Sequence, residues 1–160
     1  MTKQKVLDRL MMQCSRREYC TSDVRAKALR ALDGDQQAAR EIVDTLVEHK
    51  YVDDLRYCCA YARDKSLISG WGEVKIVAAL RAKGVARDVI AAALEEVDDS
   101  KADERAMKVV MTKYRALRND PQWRVKLLRF TLGRGYSYED ALRYISSVSS
   151  STSSSSTGAD

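Results

Sequence analysis

The sequence predicts an all-α protein: three tandem three-helix repeats forming an elongated, curved array, with a disordered Ser-rich C-terminal tail. Three observations carry this reading. The 160 residues include one proline, one phenylalanine and seven glycines, while Ala, Leu, Arg, Glu and Lys, which lose little on entering a helix, abound. Apolar residues recur at three- and four-residue steps, as one face of a helix requires. A longer pattern also returns: Val24-Arg25, Val74-Lys75 and Val125-Lys126 are each followed by glycine ten residues after the valine, at Gly34, Gly84 and Gly135, so the units start 50 and 51 residues apart.

The elements follow in order. Residues 3–14 place Val6, Leu7, Leu10 and Met11 on one stripe and open the first unit. Val24, Ala28 and Ala31 form the next stripe, which Gly34 stops because glycine readily takes the left-handed conformation that ends a helix. Ala39, Val43 and Leu46 then make a third. The second unit repeats the plan with Leu55, Cys58, Cys59 and Ala62 over residues 53–67, a helix stopped by Gly84, and a last one carrying Ile90 and Leu94. In the third unit residues 102–118 supply Met107, Val110, Tyr114 and Leu117, and Val125, Leu128 and Leu132 precede Gly135. Ser137-Tyr-Glu-Asp140 sets a hydroxyl three residues ahead of a carboxylate, as a capping box does, and opens a helix bearing Ala141 and Ile145. Ile42 and Leu46 correspond to Ile90 and Leu94 if the first unit carries two extra residues. The boundaries expected are 1–51, 52–99 and 100–147 for the repeats and 148–160 for the serine tail. No unit of this size buries its stripe well alone, so neighbours should stack.

Composition narrows the function classes. No stretch approaches the roughly 20 apolar residues that span a bilayer, and charged Lys5, Asp8 and Arg9 stand where a signal peptide needs an apolar run, so a cytoplasmic monomer without membrane attachment is expected. Cys14, Cys20, Cys58 and Cys59 lack zinc-type spacing and read as reduced thiols filling core space. His49 is the single histidine, and no nucleophile elbow, phosphate loop, metalloprotease or dinucleotide motif occurs. The expectation is a non-enzyme with no metal and no cofactor.

Charge points to partners. Residues 101–145 hold eleven Lys or Arg against five acids, whereas residues 51–100 hold seven against nine. A basic block attracts phosphate or an acidic protein surface. Lys101, Lys108, Arg115 and Arg118 share one sector of the third unit's leading helix, apart from its apolar stripe. On charge alone that face is equally a solvated surface or a partner surface.

Tyr51-Val-Asp-Asp-Leu-Arg-Tyr57, the Gly70-Trp-Gly-Glu-Val-Lys-Ile76 segment leading to Leu80-Arg-Ala-Lys-Gly84, and Phe130-Thr-Leu-Gly-Arg-Gly-Tyr-Ser137 together resemble the RecX family, in order and spacing, over about residues 3–147. Cys58 stands where that family usually has alanine, and Thr131-Leu132 blurs its leucine position. The resemblance implies tandem three-helix repeats that lie along the groove of a RecA–DNA filament, inhibit strand exchange and ATP hydrolysis, and modulate recombination and DNA repair. It also implies a partner role for Lys101, Lys108, Arg115 and Arg118, for Arg124, Lys126, Arg129 and Arg134, and for Lys75, Arg81, Lys83 and Arg87, meeting RecA or, weakly, phosphates of single- or double-stranded DNA. Lys83 equally suits the C-terminal dipole beside Gly84. Asp53, Asp54, Arg56, Tyr57, Gly84 and Gly135 are expected in structural roles, the aspartates at a helix N-terminus and Tyr57 with Tyr61 in packing between repeats. Trp71 and Trp123 each precede a helix and read as core or staple residues. The alternatives are a helix-turn-helix DNA-binding protein and an α-solenoid scaffold for another partner.

Overall fold

The computed structural model describes residues 1–154, with side chains through Ser151. Among the described residues there are nine helices and no strand: α1 (Lys3–Arg16), α2 (Thr21–Ala31), α3 (Gln36–Glu48), α4 (Asp54–Leu67), α5 (Glu73–Ala82), α6 (Arg87–Glu95), α7 (Asp99–Leu117), α8 (Trp123–Gly133) and α9 (Tyr138–Ser154). They form three triplets, and the middle helix of each ends at a glycine of positive φ: Gly34 (85°), Gly84 (79°) and Gly135 (97°). Behind the first two turns an amide reaches back five residues, Gly34 N–H to Leu29 O at 2.8 Å and Val85 N–H to Leu80 O at 3.3 Å. These bonds satisfy carbonyls that the helix end would leave without a partner.

The chain condenses into two compact units, one of Met1–Tyr61 with Leu80–Leu94, the other of Ala62–Ala79 with Glu95 onward. In the first, α2 packs on α3 and α1 on both. The apolar stripes of these helices supply the core, with Val6, Leu10, Val24, Ala28, Ile42, Leu46 and Val52 buried together. Full burial of a side chain the size of Ile42 or Leu46 contributes about 1.5–3 kcal/mol. In the second unit α7 packs on α8 and α9, and α8 on α9. Ala106, Val110, Leu127, Tyr136, Tyr144 and Val148 form that core. Tyr136 meets Tyr144 edge to face at 5.3 Å, and Tyr114 meets Trp123 likewise at 5.2 Å, so Trp123 packs against the core edge.

Three expectations fail. The valine register is off: Val24 is buried, but Val74 and Val125 are each 59% exposed, and Leu132 is exposed too. The buried counterparts of Val24 and Ala28 are Ile76 and Leu80, then Leu127 and Thr131, at steps of 52 and 51 residues. Ala28 precedes Gly34 by six residues, whereas Leu80 and Thr131 precede Gly84 and Gly135 by four, so the first unit is two residues longer ahead of its glycine. In α8 the apolar residues occupy more than one face, so Val125-Leu128-Leu132 and Trp123-Leu127-Thr131 are both helical stripes, and periodicity alone cannot choose between them. Thr131 tolerates full burial because its hydroxyl donates to Leu127 O at 2.7 Å. Leu55 is also exposed, leaving Cys58 and Ala62 as the buried members of the stripe expected for α4. Finally, the serine run starts inside α9. Val148 is buried one turn beyond Tyr144, and Ser149 and Ser151 return their hydroxyls to backbone carbonyls three residues back, so the helix continues to Ser154. The remainder of the tail expectation lies outside the described residues.

The α8 register has a direct test in urea denaturation. Leu127→Ala should cost about 3 kcal/mol by opening a core cavity, whereas Val125→Ala should stay within about 0.5 kcal/mol.

Candidate functional site

The motif residues are used inside the fold. In the first unit, Asp53 accepts the amide of Arg56 at 3.0 Å and caps its own helix α4. Asp54 accepts the amide of Thr21 at 2.8 Å, so a carboxylate from the start of α4 caps the start of α2, 33 residues away. Arg56 donates to Glu18 at 2.8 Å and to the Tyr51 carbonyl at 3.2 Å, and Tyr57 is buried with its ring 5.9 Å from that of Tyr61. Lys83, beside Gly84, donates to Asp23 at 2.7 Å, and the same carboxylate accepts the Cys20 amide at the start of α2. One joint thus ties the α1–α2 connection to the start of α4 and the end of α5.

The Asp23–Lys83 pair leaves a titration signature. Partial burial pushes the Asp23 carboxyl up, but the bonds from Lys83 and Cys20 outweigh it and hold the group below the usual carboxylate range. Lys83 is raised, chiefly by its bond to Asp23. A depressed carboxyl contributes stability that is present above its unfolded value and is lost as pH falls through the folded one; the raised ammonium loses its share only as pH rises through its own. With Lys83 44% exposed, the pair is screened and contributes about 0.5–1 kcal/mol. Lys83→Met should therefore move the Asp23 carboxyl titration upward in a carbon-detected NMR series while stability near neutral pH changes little.

The second unit contains a comparable joint. The Gly70-Trp71-Gly72 loop lies against the turn from Arg134 to Tyr136, with Gly72 N–H bonded to Arg134 O at 2.9 Å and Val74 N–H to Gly135 O at 3.0 Å. Arg134 donates to the Ser69 carbonyl and Tyr136 to the Gly70 carbonyl. Ser137 accepts the Asp140 amide at 3.1 Å and caps α9. Trp71 is half-buried, with the ammonium groups of Lys65 and Lys75 at 4.6 and 4.3 Å from its ring, so Lys75 serves this joint. Tyr19 occupies the corresponding place in the first unit, with Arg17 at 4.7 Å and Lys27 at 5.0 Å.

The remaining cations face water. Lys101, Lys108, Arg115 and Arg118 are exposed along α7, whose opposite face buries Ala106 and Val110. Lys108 has Glu104 at 4.0 Å. Arg124 and Arg129 are exposed on α8, where Arg124 lies 4.9 Å from the Trp123 ring, and Lys126 pairs with Asp120. Arg81 and Arg87 are exposed in the first unit. The structure therefore splits the candidate set: Lys75, Lys83 and Arg134 are engaged in joints, while the α7 row is open.

Sequence reasoning missed Arg105 and Lys113, which line a groove with Lys108 and Arg134 between α7 and α8. Arg105 lies four residues after Lys101 and three before Lys108, and that step is the signal that could have placed it on the same face. Asp23 and Glu18 were likewise unseen as partners, because nothing local announces a contact made dozens of residues away. The four cysteines are free; Cys20 and Cys58 are buried, and burial followed by the nearby Asp54 pushes the Cys58 thiol up to about 11. Among the described residues no group of His, Cys, Asp or Glu is placed to hold a metal, and no helix is long and apolar enough to cross a membrane.

Residues 53–94 match the family model described as RecX, second three-helix domain. The chain is 32% identical over 109 residues to Regulatory protein RecX of Clostridium botulinum (strain Eklund 17B / Type B), covering 66% of this chain and 50% of that protein. It is also 32% identical over 114 residues to Regulatory protein RecX of Mycobacterium sp. (strain JLS), covering 68% and 62%. The chain belongs to the RecX family. It spans about half the length of the curated relatives it matches. The crystal structure of RecX from Lactobacillus salivarius superposes with a TM-score of 0.79 at 21% identity, over 92% of this chain and 96% of that one, a likeness of fold. In this chain Asp23 and Asp54 carry bonds of the first joint, and the backbone of Gly72 and Gly135 carries bonds of the second.

Proposed function

We propose that this chain is a non-catalytic cytoplasmic regulator that binds the RecA–DNA filament as a monomer, inhibits recombinase and ATPase activity, and so modulates homologous recombination and DNA repair. The observation that carries the reading is the division of labour among the motif and basic residues of a RecX-family chain. Asp53, Asp54, Arg56, Lys75, Lys83 and Arg134 are consumed by internal bonds, whereas Lys101, Lys108, Arg115 and Arg118 stand exposed on one helix and are open to a partner. A filament offers the same site repeatedly, and several weak contacts along it gain from effective concentration. Inhibition then comes from occupying the groove, with cations meeting acidic RecA surface and, more weakly, DNA phosphate.

The test is RecA ATPase on single-stranded DNA with this protein added before and after filament assembly. Inhibition in both orders is expected for groove occupation. Full activity in both orders would sink the reading, and tight sequence-selective duplex binding without RecA would replace it with the helix-turn-helix alternative.

A further inference from the structure

We propose that the groove between α7 and α8 is a binding site for the phosphodiester backbone of single-stranded nucleic acid, with Arg105 and Lys113 among its ligands. The groove has a volume of about 370 Å³, and Arg105, Lys108, Lys113 and Arg134 contribute four cations to its lining, which includes no carboxylate. Val109 and Phe130 contribute apolar surface to the same lining.

Two donors there lack acceptors. The Nε atoms of Arg105 and Arg134 are shielded from water and bonded to nothing, although another nitrogen of Arg134 is held by the Ser69 carbonyl. A guanidinium also presents a planar fork of further N–H donors, and a phosphate oxygen fits that geometry.

The shape of the charge favours a strand over a single anion. Lys101, Arg105 and Lys108 follow one another along α7 at steps of four and three residues, a row about 10 Å long at 1.5 Å per residue. Two acids lie beside that row, Glu104 at 4.0 Å from Lys108 and Asp98, which accepts the Lys101 amide at 3.1 Å, and neither is part of the groove lining. A polyanion with evenly spaced charges matches such a row. Phe130 contributes an apolar ring to the lining, with Lys113 5.2 Å from its centroid, and single-strand binders combine a cationic track with aromatic surface on which bases stack.

This deepens the reading above and rests on it only in taking the third triplet as the partner-facing part. Its test needs no recombinase: fluorescence anisotropy of a labelled homothymidine oligonucleotide with the whole chain, titrated across salt. Removing the groove cations in Arg105→Gln/Lys108→Gln/Lys113→Gln should weaken binding at least tenfold and flatten the plot of log affinity against log salt by about 0.7 per lost phosphate contact. A control, Lys5→Gln/Arg25→Gln, removes two exposed cations of the first unit and should leave the slope near its original value. Should circular dichroism show the triple variant unfolded, Phe130→Leu is the second arm. It should weaken binding about tenfold with the salt slope intact, because it removes a stacking surface and no charge. An unchanged slope in a folded triple variant, or an equal loss in the control, would overturn the assignment. So would direct binding of labelled polyglutamate at least as tight as that of the oligonucleotide at equal charge, which would give the groove to acidic protein. A null result here leaves RecA inhibition standing, and loss of RecA inhibition leaves this site standing.

Discussion

Gly72→Ala and Gly135→Ala should each destabilise the second unit by about 3 kcal/mol or more, the largest losses available from adding a single methyl group to this chain. The reason is backbone meeting backbone. A methyl at position 72 would overlap the carbonyl of Gly135 and the amide of Tyr136; one at position 135 would overlap the Lys75 Cβ, would lie 2.7 Å from the Lys75 nitrogen, and would also ask an L-residue to hold a φ of 97°. Neither neighbour can yield without breaking the Gly72-to-Arg134 and Val74-to-Gly135 bonds that join the loop to the turn. Gly34 and Gly84 provide the internal controls. Their φ values are also positive, but a methyl there meets open space, so each alanine should cost only about 1–2 kcal/mol of conformational strain. Thermal or urea unfolding of the four single variants measures the contrast; equal losses at all four would mean that the contact between loop and turn carries no stability of its own.

The same glycines show how far sequence reasoning reached. Gly34, Gly84 and Gly135 could be read as helix stops because positive φ is a local property and its spacing along the chain is visible. The helix triplets were legible for the same reason, since amphipathic stripes such as Val6-Leu10 or Ala39-Val43-Leu46 are written within a few turns. Register inside α8 was not legible, because Trp123, Val125, Leu127, Leu128, Phe130 and Leu132 offer apolar residues to more than one face and the choice is made by what packs against them. The relation between Gly72 and Gly135 was invisible too: each looks like a turn glycine, and only the fold brings them together. Charge followed the same rule. The exposed row on α7 could be recognised from helical spacing, whereas the engagement of Lys83 by Asp23, and of Arg134 by a carbonyl 65 residues away, depends on contacts that no local pattern encodes. Motif residues singled out by family resemblance are therefore a poor guide to which cations are free.

Reversing that free row is the second large effect expected. Lys101→Glu, Lys108→Glu, Arg115→Glu and Arg118→Glu together change the formal charge by eight, from +5 to −3, on side chains already exposed to water. Folding should survive. Glutamate at position 101 suits the first turn of α7, while at positions 115 and 118 it opposes the helix dipole and at 108 it faces Glu104, penalties of a few tenths to about 1 kcal/mol each. Binding to an acidic surface or to phosphate should respond far more strongly, because attraction becomes repulsion at every site. Close charge pairs across an interface contribute about 1.5 kcal/mol or more apiece, so the concentration needed to inhibit RecA ATPase should rise at least about a hundredfold. Arg115→Glu/Arg118→Glu alone separates two uses of the helix, since neither residue lines the groove between α7 and α8. If that pair lifts inhibition while oligonucleotide affinity holds, the far end of α7 meets the recombinase and the groove meets nucleic acid. Undiminished inhibition by the folded fourfold variant would remove this face from the interaction altogether and move the search to Arg81 and Arg87, the exposed candidate cations of the first unit.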